Sequence, residues 1–82
     1  MDVAQRGFAR AQLNVGVMYA HGETVPQDKA RACAWYLLAA ANGSETEKEQ
    51  GELELTKDQL EEAQALFETL QEKFEVTGEI DP

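Results

Sequence analysis

His21 and Cys33 are the only histidine and the only cysteine of the 82-residue chain. A base and a thiol are the residue types of covalent catalysis. Such a pair needs a third group to orient the base and a setting that favours thiolate. Neither is readable here. Cys33 lies in the apolar run CAWYLLAAA, where a free cysteine acts as a small hydrophobe. One His and one Cys are also too few for a structural zinc site. The acidic residues fall at helical surface spacing, and no calcium loop of alternating Asp/Asn with a central Gly occurs. Tyr19, Trp35 and Tyr36 are candidates for stacking a ligand; as large apolar residues at helical spacing they read as core. The chain is therefore expected to be no enzyme, with no catalytic residue, no cofactor and no metal.

Charge narrows the partner classes. The net charge is −9. Residues 1–43 hold four basic and three acidic side chains, and residues 44–82 hold three basic and thirteen acidic. An acidic second half argues against nucleic-acid binding, which needs a basic patch. No apolar run is long enough to span a membrane. MDVAQRG lacks the basic head and apolar stretch of a secretory signal. A lone thiol fits a reducing compartment, so a cytoplasmic location is expected.

Four helices should position these residues. The first runs from about Phe8 to Ala20, with Ala11, Val15, Met18 and Tyr19 on one face; Gly16 interrupts it. HGETVPQD is a turn, and Pro26 helps start the next helix. The second spans about Lys29 to Asn42, with Asp28 as N-cap, Gly43 as stop and Ala32, Trp35, Tyr36 and Ala39 buried. It is apolar almost all round, which implies packing on more than one side. Ser44 and Glu47 form a capping-box pattern for a weak third helix ending near Glu54. Thr56 and Gln59 repeat that pattern for a fourth, about Lys57 to Glu75. Leu60, Ala63, Phe67, Leu70 and Phe74 stripe it at coiled-coil spacing. EVTGEIDP after it reads as a frayed tail.

Ala4 and Gly7 recur 36 residues later as Ala40 and Gly43, a period that suits a helix–turn–helix repeat. The segment from Gly7 to Gly43 resembles the Sel-one-like repeat, a relative of the tetratricopeptide repeat. The matching residues are Ala11, Gln12, Gly16 and Tyr19 in the first helix, and Gly22, Val25, Pro26 and Asp28 in the turn. In the second helix they are Ala32, Trp35, Tyr36, Ala39 and Ala40, with Gly43 closing the unit. Val15 stands in place of the usual leucine. Thr24 replaces the second turn glycine, which predicts an altered or strained loop. Val3–Gly7 looks like the last turn of a preceding unit, as in a piece of a longer array, and residues 44–75 like a degenerate repeat and cap.

The expected fold is all-α, an α/α superhelix in the form of a short helical-repeat solenoid with a C-terminal capping helix. It forms one domain over 1–82: the full repeat at 7–43, the cap at 44–75 and the tail at 76–82. The resemblance implies a bacterial or eukaryotic protein–protein interaction scaffold. The exposed side of its first helix, at Arg10, Leu13, Val17, Ala20 and His21, would meet a protein or peptide. The alternative is a self-associating homodimer without a separate ligand. Gly16 would allow the two helices to approach closely, with the lost helix propensity offset by that packing.

Overall fold

The structure, a computed structural model, describes the backbone of residues 2–80 and the side chains of residues 8–73. Four helices make it up: α1 (Asp2–His21), α2 (Lys29–Ala41), α3 (Glu47–Leu53) and α4 (Lys57–Ile80). The fold is all-α, as expected. α2 is the hub: α1 and α4 both pack extensively on it, and α3 joins it more lightly. Its composition explains this. Ala30, Ala32, Cys33, Ala34, Tyr36, Leu38 and Ala39 are all buried, which wraps apolar surface round most of the helix. Small side chains here let neighbouring helices come close.

The key contact is at Gly16. A Cβ on this glycine would lie 2.5 Å from Tyr36 Cε1 and 3.1 Å from the Ala32 carbonyl oxygen. The Tyr36 ring, 2% exposed, therefore occupies the space a side chain would need. α1 buries Ala9, Gln12 and Gly16, a stripe rotated from the expected one. Ala11 is exposed, and Val15, Met18 and Tyr19 are half-buried. The most buried positions of α1 are those nearest Tyr36, while the apolar Leu13, Val17, Tyr19 and Ala20 pack beside them against the core. Gln12 is polar yet 2% exposed. Its Oε1 accepts a 2.9 Å bond from Asn42 Nδ2, which ties α1 to the end of α2.

Several helix ends follow local chemistry. Asp28 caps α2 by accepting a 3.1 Å bond from the Arg31 N–H. Gly43 stops it at φ +103°. There the Gly43 N–H donates to Ala40 O (3.1 Å) and the Ser44 N–H to Ala39 O (3.0 Å), the paired bonds of a Schellman motif. At α4 the Thr56 N–H donates to Gln59 Oε1 (3.0 Å), and the Gln59 N–H donates to Thr56 Oγ1 (3.2 Å). The expected capping box is thus complete in both directions.

Other ends differ from expectation. α1 begins at Asp2 and continues through Gly7, so the turn expected between a preceding unit and α1 is absent; a glycine alone does not end a helix. The N-cap position of α3 is Thr46, not Ser44, and its side chain makes no cap bond to the helix. The Ser44 N–H closes the Schellman motif of α2. Thr46 is 2% exposed, and its Oγ1 accepts a 2.6 Å bond from Gln50 Nε2. α4 extends to Ile80, so helix replaces tail from residue 76. In the α4 stripe Ala63 is buried, Phe67 and Leu70 are half-buried and Leu60 is 46% exposed. The Phe74 side chain lies outside the described residues. Leu66, beside the stripe, packs on the core instead. Thr24 adopts φ +64°, a left-handed conformation costly for a β-branched residue. The departure from glycine is thus a strained turn, as expected.

Candidate functional site

The five candidate residues lie along one side of α1. Arg10 and His21 are exposed; Leu13, Val17 and Ala20 are half-buried and the last three pack against the core cluster. From Arg10 to His21 the stripe is about 16 Å long at the helical rise per residue. That length would take roughly five residues of extended peptide.

A depression lies at each end. The first, of 320 Å³, is walled by Ala9, Arg10 and Leu13 of α1 and by Gly43, Ser44 and Glu45 of the α2–α3 loop. The second, of 240 Å³, lies between Ala20 and His21 of α1 and Glu49, Glu52 and Leu53 of α3. Tyr36 also lines it, as do Gln27 and Lys29 from the start of α2 and its approach. The stripe therefore faces α3 and the loop before it across two recesses, with Val17 between them. Among the described residues α4 packs on α2 and makes no extensive contact with α1. The cap helix does not cover the stripe.

Charge is uneven around these recesses. Burial raises the Tyr36 hydroxyl pKa above its ordinary value, and the Glu49 and Glu52 carboxylates, then Cys33, raise it further. A negative potential therefore reaches the hydroxyl from α3. Sequence reasoning missed Glu49, Glu52 and Lys29 as lining residues. The thirteen acids of the second half are the only signal that pointed there, and they do not say which acids face a recess.

The other candidate chemistries separate in space. Cys33 is 4% exposed, and burial raises its thiol pKa, the wrong direction for a nucleophile. His21 is exposed. The aromatic trio does not form one stacking site. Tyr36 is buried, while Tyr19 and Trp35 are half-buried, and Tyr19 carries the Arg31 guanidinium 5.6 Å from its ring centroid. This is cation–π distance. Arg31 also pairs with Asp28, Nε to Oδ2, at 3.7 Å. Among the described residues no group of three His, Cys, Asp or Glu side chains could hold a metal. Among them, too, no helix is long and apolar enough to cross a membrane.

A family model, that of the Sel1 repeat, matches residues 9–44. The match spans most of α1, all of α2 and the turn that joins them. No curated protein and no solved structure matched the chain. The Sel1 repeat is a non-enzymatic repeat that generally mediates protein–protein interaction.

Proposed function

Since residues 9–44 match the Sel1 repeat model, we propose that this protein is an interaction scaffold whose α1 stripe meets a protein or peptide partner. Arg10, Leu13, Val17, Ala20 and His21 form the contact. The observation that carries this reading is the placement of the stripe between two recesses, uncovered by α4. A half-buried apolar centre with polar ends is the usual make-up of a small interface.

Photo-cross-linking tests it. A photoreactive residue is placed at Arg10, and in a second protein at Ala65, exposed on α4. Cross-linked partners should appear from the Arg10 site and not from Ala65. Arg10→Glu/His21→Glu changes two exposed residues, so folding is retained and capture should fall. Equal yields from both sites, or capture untouched by the double variant, would sink the assignment.

Self-association is a second reading, favoured by Leu60 at 46% exposure on α4. Light scattering after size exclusion decides it. A dimer that Leu60→Glu converts to monomer supports it, and a monomeric wild type ends it.

A further inference from the structure

Asn42 and Gly43 form an Asn-Gly pair at the C-terminal end of α2. In this dipeptide the backbone nitrogen after the asparagine can attack its side-chain carbonyl, and glycine, with no Cβ, leaves that approach open. The Gly43 nitrogen loses its proton, bonds to Asn42 Cγ and expels the side-chain nitrogen as ammonia. Water then opens the resulting ring at either carbonyl, leaving aspartate or isoaspartate at position 42. The net change takes in water and releases ammonia. Asn14, the chain's other asparagine, is followed by Val15 within α1, where a β-branched neighbour and the helix both oppose ring closure.

The fold holds this pair away from reaction. Asn42 has φ −99° and ψ 13°. At that ψ the Gly43 nitrogen nearly eclipses Asn42's own backbone nitrogen, so it is turned away from Cβ and Cγ about the Cα–C bond. Its N–H is engaged as well, donating to Ala40 O at 3.1 Å. The Asn42 side chain is fixed from two sides: Nδ2 donates to Gln12 Oε1 at 2.9 Å and to Leu38 O at 3.2 Å. Ring closure must therefore undo the turn at Gly43 and release the amide that ties α1 to α2. That tie is incomplete on the α1 side. Gln12 is 2% exposed, and its Nε2 has no hydrogen-bond partner among the described residues, so one donor of this buried amide is unsatisfied.

We propose that Asn42–Gly43 is a deamidation site, shielded in the folded chain and exposed by local opening where α1 meets the end of α2. The consequence runs one way. A carboxylate at position 42 only accepts, so it donates to neither Gln12 Oε1 nor Leu38 O, and its charge lies at the unfavourable C-terminal end of α2. The unpartnered Gln12 Nε2 can turn to donate to it, but the bond to Leu38 O is lost. Isoaspartate also lengthens the backbone inside the Schellman turn. Gly43 and Ser44 wall the 320 Å³ recess at the Arg10 end of the stripe, so the modified bond borders that recess. The proposal stands on backbone and amide geometry and does not depend on the interaction reading.

The test incubates the full chain at mildly alkaline pH, in buffer and in guanidinium chloride, and follows aspartate and isoaspartate at position 42 by peptide mass spectrometry. The native rate should be about tenfold or more below the denatured rate, because reaction waits for a minor open state. Asn14 should stay unmodified in the native protein. Gln12→Met keeps an unbranched side chain of similar length but removes the acceptor for Asn42 Nδ2. It should raise the native rate about threefold or more, the worth of one hydrogen bond, and leave the denatured rate unchanged. Leu66→Ala lowers global stability without touching the turn and should change the native rate less than about twofold. The Asn42→Asp variant should show a lower urea midpoint than the wild type. The two wild-type rates decide the shielding without any variant. Equal native and denatured rates, native modification of Asn14 as fast as of Asn42, or a native rate untouched by Gln12→Met would overturn the proposal. So would equal acceleration by Leu66→Ala, or an unchanged midpoint in Asn42→Asp.

Discussion

Residues 9–44 and residues 45–73 are built on different terms. The first segment supplies almost all of the core: Ala9, Gln12, Gly16, Tyr36 and the small residues of α2. The second buries only Thr46, Leu53 and Ala63, yet holds most of the acidic charge. Helix pairs in a solenoid depend on neighbours to cover their outer faces. The difference shows one segment folding around a shape-matched contact, while the other covers it and carries the electrostatics. In the proposed reading the same division holds: residues 9–44 supply the stripe, and Glu49 and Glu52 of α3 line the recess at one end of it.

The largest expected effect falls on that contact. Tyr36→Ala should cost about 3–5 kcal/mol, the usual loss for truncating a large buried aromatic. Such a loss unfolds much of a domain this small. Leu66→Ala, a half-buried residue of α4 that packs on the core, should cost about 1 kcal/mol. Urea denaturation followed by circular dichroism measures both. Similar losses would mean the two segments are not as unequal as their burial implies.

Two helical glycines sharpen the comparison because the same substitution should have opposite signs. Around Gly51, in α3, nothing lies within 4 Å of a built Cβ. Gly51→Ala should therefore stabilise by about 0.5–1 kcal/mol through helix propensity. Gly16→Ala gains the same propensity but drives a Cβ into Tyr36. Overpacking costs about 1–3 kcal/mol, so the net change should be a loss of about 1 kcal/mol. Stabilisation at Gly16 would show that the ring yields freely.

Alkaline pH should also act first on the repeat. Burial raises the Cys33 and Tyr36 pKa values above their ordinary 9.0 and 10.0. The unfolded chain thus loses these protons first as pH rises. Their contribution is intact below pH 9.0 and lost progressively above 9.0 for Cys33 and 10.0 for Tyr36. Midpoints measured against pH should fall there, and Cys33→Ala should remove the earlier part of the decline. At about pH 8 a thiol reagent should modify Cys33 only after denaturant is added. Rapid labelling of the native protein would contradict its burial.

Much of the fold was legible because it is local. Asp28, Gly43 and the Thr56–Gln59 pair act on backbone groups a few residues away, so their types and spacing are enough to place helix ends. The face of α1 was less legible. Ala11 looked buried and is exposed, while polar Gln12 is buried, because a glycine–tyrosine fit sets the helix rotation. The start of α3 also differs: Thr46 holds the N-cap position without a side-chain cap bond, so the Ser44–Glu47 spacing does not mark the first turn. The proposed stripe residues are named from the repeat register alone. The acids opposite them could not be named that way, since thirteen similar side chains offer no way to choose without the fold.

The smallest effect concerns the turn within the repeat. Thr24 stands where the related repeats carry glycine, and it adopts φ +64°. A β-branched residue is strained there, whereas glycine is not. Glycine also adds unfolded-state entropy, which offsets part of the relief. Thr24→Gly should accordingly stabilise by only about 0.5–1 kcal/mol, read as a small rise in urea midpoint with an unchanged slope. The substitution leaves α3 and α4 untouched, so hydrogen exchange should slow in α1 and α2 and remain the same in the exposed first turn of α4. An unchanged or lowered midpoint would mean that Thr24 is not strained in solution, and that the turn tolerates its departure from glycine without cost.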